Sequence, residues 1–173
     1  MKYKNLSGAK FILGVGAQKA GTSWLFDYIS QNKAVACPPI KEMHVFDILY
    51  RQDLCSGFRD KALELLKAEV EKALDSGGAI DARFKLAVAK SKMLYSVDEY
   101  FNYFSSIKND SQTHLCEFTP SYSLIGADGL SIINDMFRRQ GIELKVIFLL
   151  RDPVERYYSA MRMKERKTKG RIN

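Results

Sequence analysis

Two short stretches of this 173-residue chain gather the residue types that hold anions. The first is Gly16-Ala17-Gln18-Lys19-Ala20-Gly21-Thr22-Ser23-Trp24, which follows an apolar run and opens a helical pattern. In that setting successive backbone N–H groups and the positive end of a helix dipole point at one spot. Gly21 lets the backbone approach closely, Thr22 and Ser23 add hydroxyl donors, and Lys19 adds a full charge. A phosphate suits such a loop. The spacing is not that of a Walker A loop, where Lys directly follows the final Gly, because Lys19 precedes Gly21 by two positions. The G-x-G-x-x-G spacing of dinucleotide folds is absent as well. An ordinary strand-to-helix turn with a surface lysine is the competing reading of this stretch alone.

The second stretch runs Val146-Ile147-Phe148-Leu149-Leu150-Arg151-Asp152-Pro153-Val154-Glu155-Arg156-Tyr157-Tyr158-Ser159. A strand here delivers Arg151 to its C-terminal end, where open α/β sheets bind their ligands. Asp152 and Pro153 then supply an N-cap and a first helical position. Ser159, eight residues beyond Arg151, falls in the second turn of that helix and can face the same crevice. The planar fork of Arg151 would grip a phosphate, with the Ser159 hydroxyl adding a bond.

The elements that must position these stretches alternate. KFILGV (10–15) reads as a buried strand and Trp24–Gln31 as a helix carrying Leu25, Tyr28 and Ile29. A second strand is expected at AVAC before Pro38-Pro39 breaks it. Apolar residues at Leu63, Leu66, Val70, Ala73 and Leu74 predict an amphipathic helix over 59–75, stopped by Gly77-Gly78. Ser96-Val97-Asp98-Glu99 matches a capping box ahead of YFNYFSSI. THLCEF (113–118) reads as a strand ended by Thr119-Pro120, residues 128–140 as a helix ended by Gly141, and KVIFLL (145–150) as a strand buried on both faces. Strands alternating with helices predict an α/β fold with a largely parallel central sheet.

Composition excludes several classes. No run of eighteen apolar residues appears, so no membrane-spanning helix is expected. The basic N-terminus falls straight into an apolar run read as the first strand, so a secretory signal is not expected there. Six basic residues against one acid between Arg162 and Asn173 carry +5 of the net +7. The body is nearly balanced, and nucleic acid is not an expected partner. Three scattered cysteines, Cys37, Cys55 and Cys116, suit packing in a reducing, cytoplasmic setting; no zinc or redox spacing joins them. No ligand cluster for a metal is visible.

Taken together, QKAGTSWL after strand one, KEMHVFD at 41–47 and the later RDPVERYYS resemble, in order and spacing, elements of the sulfotransferase superfamily that uses 3′-phosphoadenosine-5′-phosphosulfate (PAPS). The likeness, to the heparan-sulfate-type and bacterial branch, extends from about residue 10 to residue 163. It implies a three-layer fold of the P-loop NTPase type with a mostly parallel sheet between helices. It implies that Lys19, Ala20, Gly21, Thr22, Ser23 and Trp24 hold the 5′-phosphosulfate end of PAPS, and that Arg151 and Ser159 hold the 3′-phosphate. Glu42 would be the catalytic base, with His44 and Asp47 beside it. The chemistry is coherent with those residue types. Sulfuryl transfer is an in-line displacement that rests on positioning and charge stabilisation. A carboxylate such as Glu42 takes the proton of a hydroxyl or amine acceptor, and Lys19 neutralises the leaving phosphate. No metal is needed.

Two departures from the family bear on the acceptor and on completeness. Glu117-Phe118-Thr119-Pro120-Ser121-Tyr122 stands where the family often reads Glu-Lys-Thr-Pro-x-Tyr. Phe118 in place of that lysine argues against a highly anionic polysaccharide and favours a less charged glycan, a lipid or a small molecule. Against the family's length, the resemblance implies that residues 1–173 are a single domain matching its N-terminal part, with the C-terminal part expected to be absent, and exposed sheet surface would then favour self-association. Two alternatives stay open: a catalytically silent nucleotide-binding remnant, and a P-loop kinase using ATP and magnesium.

Overall fold

The run KFILGV finds apolar partners on both of its faces, and that makes it a strand. In the computed structural model, which describes residues 3–55 and 57–169, β1 spans Lys10–Gly16. Phe11, Leu13 and Val15 enter one core while Ile12 packs into another on the opposite face, as a strand's two-residue period requires. With β2 (Val35–Ala36), β3 (His114–Phe118) and β4 (Glu143–Phe148) it forms a sheet of order β2-β3-β1-β4, parallel at every pairing. The protein is therefore α/β, with a four-stranded all-parallel sheet flanked by helices.

One face is covered by α1 (Thr22–Ser30), whose Phe26, Leu25 and Ile29 pack with Cys116 and Phe118. The other face carries the larger core, to which α2 (Phe46–Tyr50) contributes. After α3 (Gln52–Cys55) and α4 (Gly57–Asp75), this core is completed by α5 (Ala82–Met93), α6 (Asp98–Ile107) and α7 (Gly126–Arg139). Phe11 sits at its centre, edge-on to Phe104 and Phe137 with both ring centroids at 4.8 Å, the geometry ring quadrupoles prefer. The last element, α8 (Pro153–Lys169), follows β4. No helix among the described residues is long and apolar enough to cross a membrane.

Several expectations need correction. The capping box does not form: Glu99 N–H bonds the Ser96 carbonyl, no side chain caps α6, and the Glu99 carboxylate accepts from Asn102 instead. In α4 the apolar stripe is buried only in part. Ala73 is buried and Leu66 half-buried, but Leu63, Val70 and Leu74 are exposed, and the buried face also takes Ala62 and Glu69. The cause is the neighbour: α4 packs on α5 rather than on the sheet, and Glu69 takes an ion pair with Arg83 at 2.7 Å. β4, expected to be buried on both faces, is the edge strand of the sheet among the described residues, and its Val146 and Phe148 are about half exposed, at 48 % each. Tyr157 and Tyr158 are exposed on α8.

Candidate functional site

The segment after Pro38-Pro39 has an unusual backbone. Glu42 (φ 69°) and His44 (φ 56°) both adopt the left-handed conformation, which costs a non-glycine residue about 1–3 kcal/mol and persists where the surroundings impose it. Here four hydrogen bonds impose it. Glu42 N–H donates to the Phe118 carbonyl at 3.0 Å, and the Lys90 ammonium donates to the Glu42 carbonyl at 2.8 Å. Met43 N–H donates to Glu117 Oε1 at 3.3 Å, and Val45 N–H to Tyr122 Oη at 3.1 Å. Glu117 is fully buried and also accepts from the hydroxyls of Tyr100, at 3.3 Å, and Thr119. Burial pushes its carboxyl up to about 7, against the opposing pull of the Thr119 and Met43 bonds. Burial likewise draws the Lys90 ammonium below its ordinary value.

The turn brings Glu42 and His44 side by side. His44 Nε2 lies 3.4 Å from Glu42 Oε2, and its Nδ1 lies 2.7 Å from Oδ2 of Asp47. Asp47, at the start of α2, is fully buried and also accepts from Ser121 Oγ at 2.5 Å and from Ile48 N–H at 2.9 Å. The imidazole stacks on Phe58, with centroids 3.6 Å apart. Burial by itself would favour neutral imidazole, but the bonds to Asp47 and Glu42 together outweigh it and raise the pKa of His44. In turn the His44 bond, aided by Lys41 and opposed by burial, holds the Glu42 carboxyl down at about 2. The result is a row of carboxyl, imidazole and carboxyl groups whose outer member, Glu42, has 42 % of its side chain exposed.

Beside this row lies the glycine-containing loop. Gly21 occupies the position before α1 with φ 98°, a conformation glycine adopts without steric cost, and no side chain caps the helix. The first N–H groups of α1, which have no intrahelical carbonyl, are thereby left facing the loop. Lys19 (φ 67°) directs Nζ to the Met163 sulfur at 3.8 Å. The hydroxyls of Thr22 and Ser23 accept from the Lys41 ammonium at 3.2 and 2.9 Å, and the same nitrogen is 3.3 Å from Glu42 Oε1.

Arg151 follows β4 and folds onto this loop. Its Nη1 donates to the Lys19 carbonyl at 3.3 Å and its Nη2 to Glu155 Oε2 at 3.0 Å. The expected cap is present: Glu155 N–H donates to Asp152 Oδ1 at 3.0 Å. Glu155, Ser159 and Met163 are spaced by four and share one face of α8. Glu155 holds Arg151 and Met163 meets Lys19, so that face is turned to the loop, with partly buried Ser159 between them.

The structure thus brings Lys19, Ala20, Gly21, Thr22, Ser23, Arg151 and Ser159 to one corner at the C-terminal ends of β1 and β4, and Lys41 joins that corner to Glu42, His44 and Asp47. Trp24, directly after Ser23, is 69 % exposed on α1 and stacks on Tyr28. Phe118 departs from expectation. It does not line the acceptor region but is fully buried beneath α1, its ring lying over Gly14, where a Cβ would come within 2.0 Å of it. Cys37 and Cys116, read as scattered, are neighbours with free thiols, one just past β2 and the other in β3. Sequence reasoning missed Lys41, Lys90, Glu117 and Ser121. For Lys41 and Glu117 the signal was position, one adjoining Glu42 and the other opening the Glu-x-Thr-Pro stretch; for Lys90 and Ser121 no local signal exists. Compared with family models, curated proteins and solved structures, the chain matches none.

Proposed function

We propose that the chain is a sulfotransferase domain of the P-loop-like three-layer type that takes PAPS as donor and passes its sulfuryl group to a hydroxyl or amine of a glycan, lipid or small-molecule acceptor. The observation that carries this reading is the meeting of Lys19 and Arg151, 132 residues apart, at one corner that Lys41 bridges to Glu42. Two cationic elements on one sheet edge suit a molecule that is phosphorylated at both ends.

On this reading the 5′-phosphosulfate lies against the N–H groups and hydroxyls of residues 19–23, and Arg151 with Ser159 takes the 3′-phosphate. The acceptor oxygen attacks sulfur, the bond from sulfur to the bridging phosphate oxygen breaks, and Glu42 accepts the acceptor's proton. Lys19 stabilises the charge left on the phosphate. His44 and Asp47 orient Glu42 from behind. A carboxyl held at about 2 is fully ionised at neutral pH, so it is ready to accept but is a weak base; the transfer is then favourable only as the new sulfur–oxygen bond acidifies the acceptor hydroxyl. Phe118, being in the core, sets no charge preference for the acceptor.

Calorimetric titration with 3′-phosphoadenosine-5′-phosphate (PAP) tests the site, and sulfur-labelled PAPS with a panel of hydroxyl acceptors tests the reaction. Saturable PAP binding with label transfer is expected; no binding at millimolar PAP would overturn the reading. A nucleotide-binding chain without turnover is the second reading, favoured by the weak basicity of Glu42. It predicts PAP binding and no transfer to any acceptor.

A further inference from the structure

Lys41 belongs to neither anion-holding stretch, yet it touches both halves of the proposed chemistry. Its ammonium lies 3.2 Å from Thr22 Oγ1, 2.9 Å from Ser23 Oγ and 3.3 Å from Glu42 Oε1, and its side chain is only 19 % exposed. An ammonium has three donors, and these contacts engage all of them. The two hydroxyls are those the loop would turn toward a bound anion. An anion held there gives Lys41 a stronger partner than a neutral hydroxyl, and it competes directly with the Glu42 carboxylate for one cation. Lys19 is not in this contest, since its ammonium lies against Met163.

Resting on the reading of the loop as the donor's phosphosulfate site and of Glu42 as the base, we infer that Lys41 is an exchanging cation: paired with Glu42 in the free chain, it moves to the sulfuryl oxygens when PAPS binds and releases Glu42 to the acceptor. The displacement then proceeds with every charge matched. The acceptor oxygen bonds to sulfur, the sulfur–oxygen bond to the 5′-phosphate breaks with its electron pair left on the phosphate, and the proton passes to Glu42. Lys41 stays on the three oxygens that travel with sulfur. Because Lys41 helps to hold the Glu42 carboxyl down, its departure makes Glu42 more basic once donor is present. Donor binds before acceptor, and free chain does not activate acceptor hydroxyls.

PAPS and PAP differ in the sulfuryl group alone, so titrating both into wild type and the variants K41A and K41R isolates this contact. K41A should weaken PAPS about tenfold while leaving PAP within about twofold, and K41R should recover part of the PAPS affinity. Carbon-13 carboxyl titration of Glu42 should show its midpoint rising on addition of PAPS in wild type and staying fixed in K41A. K41A that binds both nucleotides as wild type does, or that loses both equally, would overturn the inference while leaving the functional reading intact. Wild type that binds neither nucleotide overturns both. Should K41A fail to fold by circular dichroism, K41Q carries the same comparison.

Discussion

Around Glu42 the segment after Pro38-Pro39 is tied down by buried groups: Asp47 and Glu117 are fully buried, and two left-handed residues are held by four hydrogen bonds from β3, α5 and the turn after β3. Around Arg151 the guanidinium is 37 % exposed, its carboxylate partner Glu155 is 61 % exposed, and the second bond is to a loop carbonyl. The first region is set before any ligand arrives, and the second can exchange its partners for a phosphate at little cost. A base must be aimed to within a fraction of an ångström, whereas an arginine at a rim needs only reach and charge. On the proposed reading, the base belongs to the segment that buried groups tie down and the phosphate contact to the loosely held guanidinium, and this contrast can be broken residue by residue.

The largest effect is expected at Glu42. Glu42→Gln should lower sulfuryl transfer by about 10²–10⁴-fold, the usual contribution of a positioned proton acceptor, while PAP affinity in calorimetry stays within about twofold. Next comes Glu117→Ala, which strips the partners of Met43 N–H, Tyr100 Oη and Thr119 Oγ1 inside the core. Buried donors left unpaired cost about 1–3 kcal/mol each, so a loss of several kcal/mol in urea unfolding is expected, with transfer falling as Glu42 and His44 relax.

A pH series sharpens the same point. The Glu117 carboxyl is raised from 4.5 to about 7 by burial, so between those values the folded chain binds more protons than the unfolded one, and stability falls as pH rises. His44, raised by Asp47 and Glu42 against burial, adds a loss in the same direction as pH climbs above its ordinary 6.5. Glu42, lowered to about 2, acts at the other end: its contribution is present above 4.5 and is lost as pH falls toward 2. Glu117→Gln should flatten the wild-type decline in urea midpoint between pH 5 and 7 without removing the acid limb.

Smaller changes belong to the exposed region. Arg151→Ala should weaken PAP about tenfold or somewhat more with an unchanged unfolding midpoint. Glu155→Gln should do the reverse, tightening PAP by about twofold, because an exposed ion pair of this kind contributes little and competes with the phosphate. A stability loss at Arg151 comparable to that at Glu117 would erase the contrast.

Much of this was legible in the residues. The strand-loop-helix from Lys10 to Ser30 announces itself by a short apolar run, a glycine before the helix and apolar spacing after it. Asp152-Pro153 marks the start of α8 by the same local rules. What stayed hidden depended on who packs against whom. Leu63 and Leu74 of α4 are exposed because its partner is α5 and not the sheet. Lys41 sits next to Glu42 in sequence, but its reach to Thr22 and Ser23 depends on the tertiary fold, in which the chain after β2 is tied to the end of β3 by the Glu42 N–H bond to the Phe118 carbonyl. Phe118 was misassigned from its place in a motif; the clue was Gly14, a glycine inside a strand, which signals close approach by a neighbour.

The most direct test of the central claim is a crystal structure of the chain with PAP bound. The account predicts one molecule spanning the corner, its 5′-phosphate on the N–H groups of Gly21, Thr22 and Ser23 with Lys19 beside it, and its 3′-phosphate on Arg151 and Ser159. PAP bound with its two phosphates away from these residues would contradict it.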